Sequence, residues 1–143
     1  MPIKPPINLE RYYQCPIEKV WEAVTEQQHL AQWLMPGNFK SEKGHQYFFQ
    51  CDPDKHGWDG KIFGEVLEVK EPFLIRFSWN TRELHKSTIV TFRLEETDQG
   101  IRFSIAHEGF TEVDHENHAA HAEGWIEHVI ILEKYLTDGT IKH

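Results

Sequence analysis

Cysteine is scarce in this sequence, which limits its covalent and metal-binding chemistry. The 143-residue chain has two, Cys15 and Cys51, and neither belongs to a CxxC motif. Domains that depend on disulfide bonds carry several closely spaced cysteines, so two of them do not form a disulfide framework. We expect both thiols to be free, and we expect no thiolate metal site because no further sulfur ligand is available.

Runs of basic residues are also missing. Lys and Arg number 15 against 23 Asp and Glu, which gives a formal net charge of −8 at pH 7, and the basic residues are scattered singly. A nucleic-acid partner requires a positive surface that matches its phosphates, and an anionic membrane surface attracts the same charge. The composition therefore argues against nucleic acid, and against a membrane surface as the main partner.

The sequence has no long apolar run. No segment approaches the roughly 20 apolar residues of a membrane-spanning helix, and the N-terminal MPIKPPINLE lacks the apolar stretch of a signal peptide. We therefore expect no membrane insertion and a soluble, cytoplasmic protein. The length and the lack of linkers or repeats favour a single domain over residues 1–143.

Aromatic residues, in contrast, are abundant. They make up 13% of the chain and include five Trp and nine Phe. A small domain of this composition either encloses a cavity with aromatic walls or packs large side chains into a solid core. Composition leaves both interpretations open, and the difference decides whether the domain has room for a ligand.

The most regular pattern lies near the C-terminus, over residues 116–137. Its apolar residues recur at the spacing of one helical face, and they are Trp125, Val129, Leu132 and Leu136. About 22 residues at 1.5 Å each predict a helix about 33 Å long, which spans a small domain. Gly139 follows as a stop residue. A helix with one apolar stripe needs a sheet on which to pack.

Two short helices are predicted directly after the first strand. Residues 7–15 alternate loosely as a strand and end at Pro16, which suits the first turn of a helix. Apolar spacing predicts one helix over 17–25 and a second that carries Trp33 and ends at Pro36-Gly37. Thr25 and Gln28 have the spacing of a capping box for the second helix.

Most of the remaining sequence shows the two-residue alternation of β-strands. Turn-forming residues separate the segments, which are 46–51, 61–70, 73–79, 87–94 and 101–107. Consecutive strands joined by short turns pair antiparallel, and six or seven such strands twist and curl. The pattern predicts an α+β domain in which a curved antiparallel sheet wraps around the long C-terminal helix. Residues 57–60, GWDG, form either a lid-like loop or an ordinary hairpin.

Several segments, taken in order, resemble one known family. They are CPIEKVWEAVTEQQHLAQWL at 15–34, FGEVLEVKEP at 63–72, FSW at 77–79, STIVTFRLE at 87–95, HEGF at 107–110 and GW…L…YL at 124–136. This set covers nearly the whole chain and resembles the domain homologous to the activator of the ATPase of the ninety-kilodalton heat-shock chaperone. That family belongs to the helix-grip superfamily, with the birch-pollen allergen and the steroidogenic-acute-regulatory-related lipid-transfer domains.

The resemblance implies a helix-grip fold of the order β-α-α-β6-α, in which the C-terminal helix closes an apolar cavity against the sheet. Cavities of this superfamily accept a lipid, a sterol, a polyketide or a flavonoid-like molecule. We therefore expect non-enzymatic binding of a small hydrophobic molecule, in a setting such as the stress response. The family name implies chaperone activation, but that role also depends on an additional N-terminal domain, which we do not expect within these 143 residues, so we discount it.

Two alternatives to ligand binding remain. One is a protein-interaction module that contacts a chaperone through an exposed apolar patch. The other is a cyclase- or hydrolase-like enzyme that uses a cavity histidine, His107 or His128. Its carboxylate would be Glu108, Glu123 or Glu127. The sequence has no GxSxG nucleophile motif, so we assign no catalytic residue and no cofactor. For the oligomeric state we expect a monomer or a weak dimer.

The candidate ligand-binding residues are aromatic, apolar or histidine side chains expected to face the space between the helix and the sheet. They are Trp33, Phe48, Phe63, Phe77, Trp79, His107, His121, Trp125, His128 and Leu132. Plain core packing would explain the aromatic residues equally well. We interpret Gly124 as a position where the helix approaches the sheet closely.

Histidines are concentrated around the C-terminal helix, at His115, His118, His121 and His128, with His107 on the preceding strand. Spacings of three and seven can bring two imidazoles to one metal ion. The HExxH motif of zinc enzymes is missing, so we predict no metal site. Hydrogen-bonded or surface histidines, and polar residues that line a pocket, are the two interpretations that remain.

Overall fold

The computed structural model describes residues 5–51, 60–82, 84 and 86–138. Its strands are β1 Ile7–Tyr13, β2 Gln46–Gln50, β3 Lys61–Lys70, β4 Leu74–Trp79, β5 Thr88–Thr97 and β6 Gly100–Glu108. Its helices are α1 Ile17–Thr25, α2 Gln27–Trp33, a short 3-10 helix Glu112–Asp114 and α3 His115–Asp138. The described part of the chain does not include residues 57–59 of the GWDG segment, the predicted stop Gly139 or the side chain of His115.

The six strands form one antiparallel sheet in the order β1-β6-β5-β4-β3-β2. The predicted α+β class, the curved antiparallel sheet and the long C-terminal helix are confirmed. The strand count differs from the β-α-α-β6-α order, because the described residues form five strands after α2 rather than six. The two short helices and their place after β1 are as predicted.

The junction between α1 and α2 differs from the predicted capping box. The hydroxyl of Thr25 donates to the carbonyl oxygen of Trp21 at 2.7 Å, so it serves the end of α1. Glu26 is the N-cap residue of α2, and its side chain makes no capping hydrogen bond. The prediction was wrong because a buried Thr can satisfy its hydroxyl on the preceding turn of its own helix.

The sheet bends at β3. The pairing of β3 with β4 shifts register between Val66 and Glu68, which marks an irregularity of the β-bulge kind. Gly64 lies just before this point, and a Cβ atom there would come 2.1 Å from the carbonyl oxygen of Ser78. Only glycine allows this approach of two backbones, so Gly64 is needed where β3 passes Ser78 of β4.

The core lies between the inner face of the sheet and the three α-helices. The predicted stripe of α3 is buried there, with Trp125, Val129, Leu132 and Leu136 each less than a tenth exposed. At about 25 cal/mol per Å² of apolar area, each of these side chains contributes roughly 1.5–3 kcal/mol on burial. Both cysteines are half-buried, and burial raises the pKa of the Cys15 thiol.

Candidate functional site: an aromatic and histidine cluster under the C-terminal helix

The space between α3 and the sheet, where the sequence predicted a cavity, is filled by aromatic side chains. The ring of Trp79 lies 5.3 Å from that of Trp125 and 5.4 Å from that of His107, measured between centroids. Phe92 continues the packing at 5.2 Å from both Phe77 and Phe103. Such distances are those of close-packed aromatic pairs. The described structure therefore has a solid interior at this place.

Two surface hollows lie elsewhere. One, of about 310 Å³, adjoins the α1–α2 junction and residues 39–42. The other, of about 280 Å³, opens on the outer face of the sheet beside Phe63 and Gly64. Neither hollow reaches the inner face of α3, so neither corresponds to the predicted cavity.

His107 is the polar centre of the cluster and is fully buried. The indole nitrogen Nε1 of Trp125 donates to its Nδ1 at 3.0 Å. Its Nε2 lies 2.8 Å from Oγ1 of Thr88, whose hydroxyl donates to the carbonyl oxygen of Trp79 at 2.7 Å. Because an indole can only donate, Nδ1 is the acceptor and Nε2 carries the hydrogen. The imidazole is therefore neutral with both nitrogens bonded.

His121 connects α3 to the sheet in the same way. The indole nitrogen Nε1 of Trp79 donates to Nε2 of His121 at 3.1 Å, and Nδ1 of His121 donates to the carbonyl oxygen of Asn117 at 2.7 Å. Its ring lies 5.3 Å from that of His107. Burial lowers the pKa of both imidazoles, and that of His107 lies well below its ordinary range. Both histidines are neutral at physiological pH.

His118 holds the first turns of α3 to the rest of the domain. Its Nε2 lies 2.9 Å from the carbonyl oxygen of Pro5, at the entrance to β1. Its ring packs edge-on against the buried Phe110 at 5.2 Å. The start of α3 is thus attached to its surroundings through imidazole rings.

His128 belongs to a different part of the helix. Its Nδ1 donates to the carbonyl oxygen of Trp33 at 2.9 Å, which ties α3 to the end of α2. Burial lowers the pKa of this imidazole as well. The indole of Trp33 is buried and donates to the carbonyl oxygen of Ala23 at 2.8 Å.

The structure brings most of the predicted ligand-binding residues to the inner face of the sheet and helix. Trp79, His107, His121 and Trp125 form one cluster through the contacts given above. The other inner-face members, in the surrounding core or at the α2–α3 contact, are Trp33, Phe77, His128 and Leu132.

Phe48 and Phe63 are placed differently from the prediction. They lie opposite each other on β2 and β3 and face outward, 49% and 46% exposed. Their neighbours Tyr47, Phe49 and Ile62 take the inner positions. The expectation that Phe48 and Phe63 line the space under the helix was wrong, because three consecutive aromatic residues at 47–49 hide which face of the strand is buried.

Sequence reasoning missed two residues of the cluster, Thr88 and Phe110. Both are fully buried, and Phe110 contacts His107 with ring centroids 4.6 Å apart. A threonine among β-branched strand residues gives no signal of a buried hydroxyl. Phe110 belongs to the same HEGF segment as His107. This closeness in sequence was the signal that could have predicted their contact.

Gly124 does not mark a close approach of the helix to the sheet. A Cβ atom built at this position would have no neighbour within 4 Å. The interpretation from the sequence was therefore wrong. A glycine in mid-helix with no steric need weakens the helix by about 0.5–1 kcal/mol relative to alanine.

Among the described side chains, the hydrogen bonds of His107 leave neither ring nitrogen to pair with a carboxylate. The carboxylates considered as partners, Glu108, Glu123 and Glu127, are exposed. Within the described ranges, no three His, Cys, Asp or Glu side chains lie close enough to hold a metal ion. No described helix combines the length and apolarity needed to cross a bilayer.

A six-stranded antiparallel sheet, two short helices after its first strand and a long C-terminal helix across its inner face define the helix-grip class. The crystal structure of protein MLL2253 from Mesorhizobium loti is similar, with a TM-score of 0.84 and 28% identity over 94% of this chain and 98% of that one. The solution structure of Bacillus halodurans protein BH1534 is similar, with a TM-score of 0.78 and 31% identity over 95% and 99% of the two chains.

A third structure, that of DynU16, a protein of the dynemicin biosynthetic locus, shares the fold with a TM-score of 0.78. Its identity is 22%, and the match covers 95% of this chain and 48% of that one. A comparison with curated protein sequences gives no match. The chain belongs to the family described as activator of Hsp90 ATPase homolog 1-like protein, whose model matches residues 14–137. The resemblance noted in the sequence is confirmed.

Proposed function

We propose that this domain binds a small, flat, largely apolar molecule beneath the N-terminal half of α3. We define that half as residues 115–124 and the C-terminal half as residues 125–138. The observation that carries the proposal is the contrast in how the two halves are held. The helix-grip fold supports it, because the long helix covers the inner face of the sheet.

The N-terminal half is attached without large apolar side chains. Its sequence, HENHAAHAEG, contains no apolar side chain larger than alanine. Its contacts with the rest of the domain include those of His118 with Pro5 and Phe110, and those of His121 with Trp79. The C-terminal half instead buries Trp125, among other large side chains. The first half is therefore the part of the helix that opens at lower free energy.

Because the interior is filled, a ligand needs a displacement to enter. Movement of the N-terminal half uncovers Trp79, His107, Phe110 and Trp125, which together form an aromatic surface. Gly124 stands at the junction of the halves, and such a residue absorbs the backbone change at a hinge. The ligand then occupies the volume that the side chains of the moving half leave.

A titration with a matched pair of variants tests this proposal. Ala122 packs partly buried against the core, whereas Ala119 is exposed on the same half of α3. We expect thermal shifts and NMR shift changes for wild type with members of a panel of flavonoids, sterols and fatty acids. Ala122→Leu enlarges a side chain that faces the site and narrows the space under the displaced half, so it should abolish them, while Ala119→Leu should leave them unchanged.

Two results would overturn the proposal. One is the lack of any response of the wild-type domain across the panel. The other is unchanged binding by Ala122→Leu. Circular dichroism and urea unfolding of each variant check that the fold is retained, so that a loss of binding reports on the site.

A second candidate function, protein binding, is favoured by the outer face of the sheet. Phe48 and Phe63 form a directly paired, half-exposed aromatic patch there, and such patches mark interaction sites. The chaperone suggested by the family name is the partner to test. Purified chaperone should bind wild type and Ala122→Leu equally, and should lose affinity for Phe48→Ser; binding that survives Phe48→Ser argues against this surface.

A further inference from the structure

We infer that the ligand carries a neutral hydrogen-bond acceptor, such as a ring ketone, that pairs with the indole N–H of Trp79. The inference rests on the proposed function, since it concerns the same site. It follows from the hydrogen bonds of the cluster when these are sorted by which half of α3 supplies the partner.

One set of hydrogen bonds is independent of the N-terminal half. Trp125 donates to His107, His107 to Thr88, and Thr88 to the carbonyl oxygen of Trp79. All of these groups belong to the sheet or to the C-terminal half. This series of hydrogen bonds stays intact when the N-terminal half moves. Both ring nitrogens of His107 therefore remain bonded, and His107 offers a ligand no free donor or acceptor.

The indole N–H of Trp79 depends on the moving half instead. Its acceptor is Nε2 of His121, and the Trp79 side chain is 3% exposed among aromatic rings. Displacement of His121 leaves this donor without a partner. A ligand that covers the donor with apolar atoms forfeits a hydrogen bond, whereas a ligand with an acceptor at this point restores it.

The electrostatics of the cluster favour a neutral acceptor over a carboxylate. The charged and titratable side chains that act on His107 are His121 and His118, and those that act on His121 are His118 and Asp114. Neither set includes a Lys or an Arg. The carboxylate of Asp114 is buried and already accepts hydrogen bonds from Thr111. An anionic ligand would be buried here without a cation, which is strongly unfavourable. Neutral ring ketones, quinones and lactones fit, and fatty-acid carboxylates do not.

Three probes built on one tricyclic skeleton test the inference: fluorene, fluorenone and fluorene-9-carboxylate. Isothermal titration calorimetry of the wild-type domain should show fluorenone binding about tenfold more tightly than fluorene, as one restored hydrogen bond allows. Fluorene-9-carboxylate should bind more weakly than either. Trp79→Phe removes the donor and should bring fluorenone and fluorene to equal affinity.

A second measurement does not depend on the folding of that variant. In the wild-type NMR spectrum, the Trp79 indole N–H resonance should shift with fluorenone and remain protected from exchange with water. Equal affinity for fluorenone and fluorene, or a preference that survives in Trp79→Phe, would overturn the inference and leave the binding proposal standing. Failure of all three probes and of the broader panel would overturn both.

Discussion

The two halves of α3 are parts of one continuous helix, yet different forces hold them to the sheet. The N-terminal half, residues 115–124, relies on imidazole contacts and short side chains. The C-terminal half, residues 125–138, relies on a buried stripe that includes Trp125 and Leu132. The stability that apolar burial contributes does not depend on pH, whereas the stability that a buried neutral imidazole contributes does. The C-terminal half can therefore stay docked over a wider range of pH, whereas docking of the N-terminal half depends on the buried histidines of the cluster remaining neutral.

Polar contacts add to the attachment of the C-terminal half rather than replace its apolar packing. His128 donates to the carbonyl oxygen of Trp33, and Tyr135 hydrogen-bonds with Nδ1 of His29 on α2. Both contacts bridge to a neighbouring helix. The N-terminal half instead contacts the residues after β6 and the start of the chain, through Phe110 and Pro5. Both halves contact Trp79 on β4 and His107 on β6.

The largest expected effect comes from the C-terminal half. Leu132→Ala removes a fully buried side chain and should lower the free energy of unfolding by about 2–5 kcal/mol, through lost burial and a residual cavity. Urea unfolding followed by circular dichroism measures it. The control is Ile130→Ala on the same helix, where the side chain is 46% exposed and the loss should be below about 1 kcal/mol. Similar losses in the two variants would contradict the assigned docking face.

Acid should destabilise the domain through the histidine cluster. Burial lowers the pKa of His107 and His121, so the unfolded chain, with an ordinary histidine pKa near 6.5, binds protons that the folded protein excludes. Their contribution to stability is complete above that pH and is lost as the pH falls toward the folded-state pKa. Unfolding free energy at pH 7.5 and 5.5 should differ by about 1–2 kcal/mol.

The attribution to these histidines can be checked with His121→Gln, which keeps an amide that can accept from Trp79 but does not titrate. The pH dependence should become shallower in this variant. An unchanged slope would assign the acid sensitivity to other groups, with His128, whose pKa burial also lowers, as the first to examine.

Removal of the His121 side chain should have a moderate effect. His121→Ala leaves the indole N–H of Trp79 without an acceptor and should cost about 1–2 kcal/mol of unfolding free energy at pH 7.5. His121→Gln should recover part of that loss. If both variants match wild type in stability, the hydrogen bond between Trp79 and His121 contributes nothing, and the N-terminal half is held by other contacts.

The smallest expected effect has the opposite sign. Gly124→Ala should stabilise the domain by about 0.5–1 kcal/mol, because the added Cβ atom meets no neighbour and alanine favours helix. It should also reduce opening at the junction and weaken ligand binding. Gly64→Ala is the matched control, since its Cβ atom would collide with the carbonyl oxygen of Ser78 and should destabilise. A destabilising Gly124→Ala would restore the close-packing interpretation.

Much of the fold follows from sequence periodicity. The four apolar positions of α3 repeat over three turns, and a repeat of that length has one structural solution, which is why the helix was predicted within one residue at each end. Thr25 shows where local patterns fail. Its hydroxyl had two acceptable uses, a cap for α2 or a bond to Trp21, and tertiary burial chose the second.

The site was harder to predict than the fold for a physical reason. Aromatic residues that line a cavity and aromatic residues that fill it have the same composition and the same alternation. Phe48 and Phe49 are adjacent on one strand, and only the register with β3 decides that the former faces outward. The contacts of His107 with Thr88 and Trp125 join residues far apart in the chain, so no local pattern encodes them.

Native-state hydrogen exchange across α3 tests the central claim most directly. Amides at 119–123 and at 129–134 both lie within the helix, and NMR gives a free energy of opening for each. We predict a step at Gly124: the opening free energy of the first group should lie clearly below the global unfolding free energy, and that of the second group should lie close to it. A common opening free energy on both sides of Gly124 would contradict it.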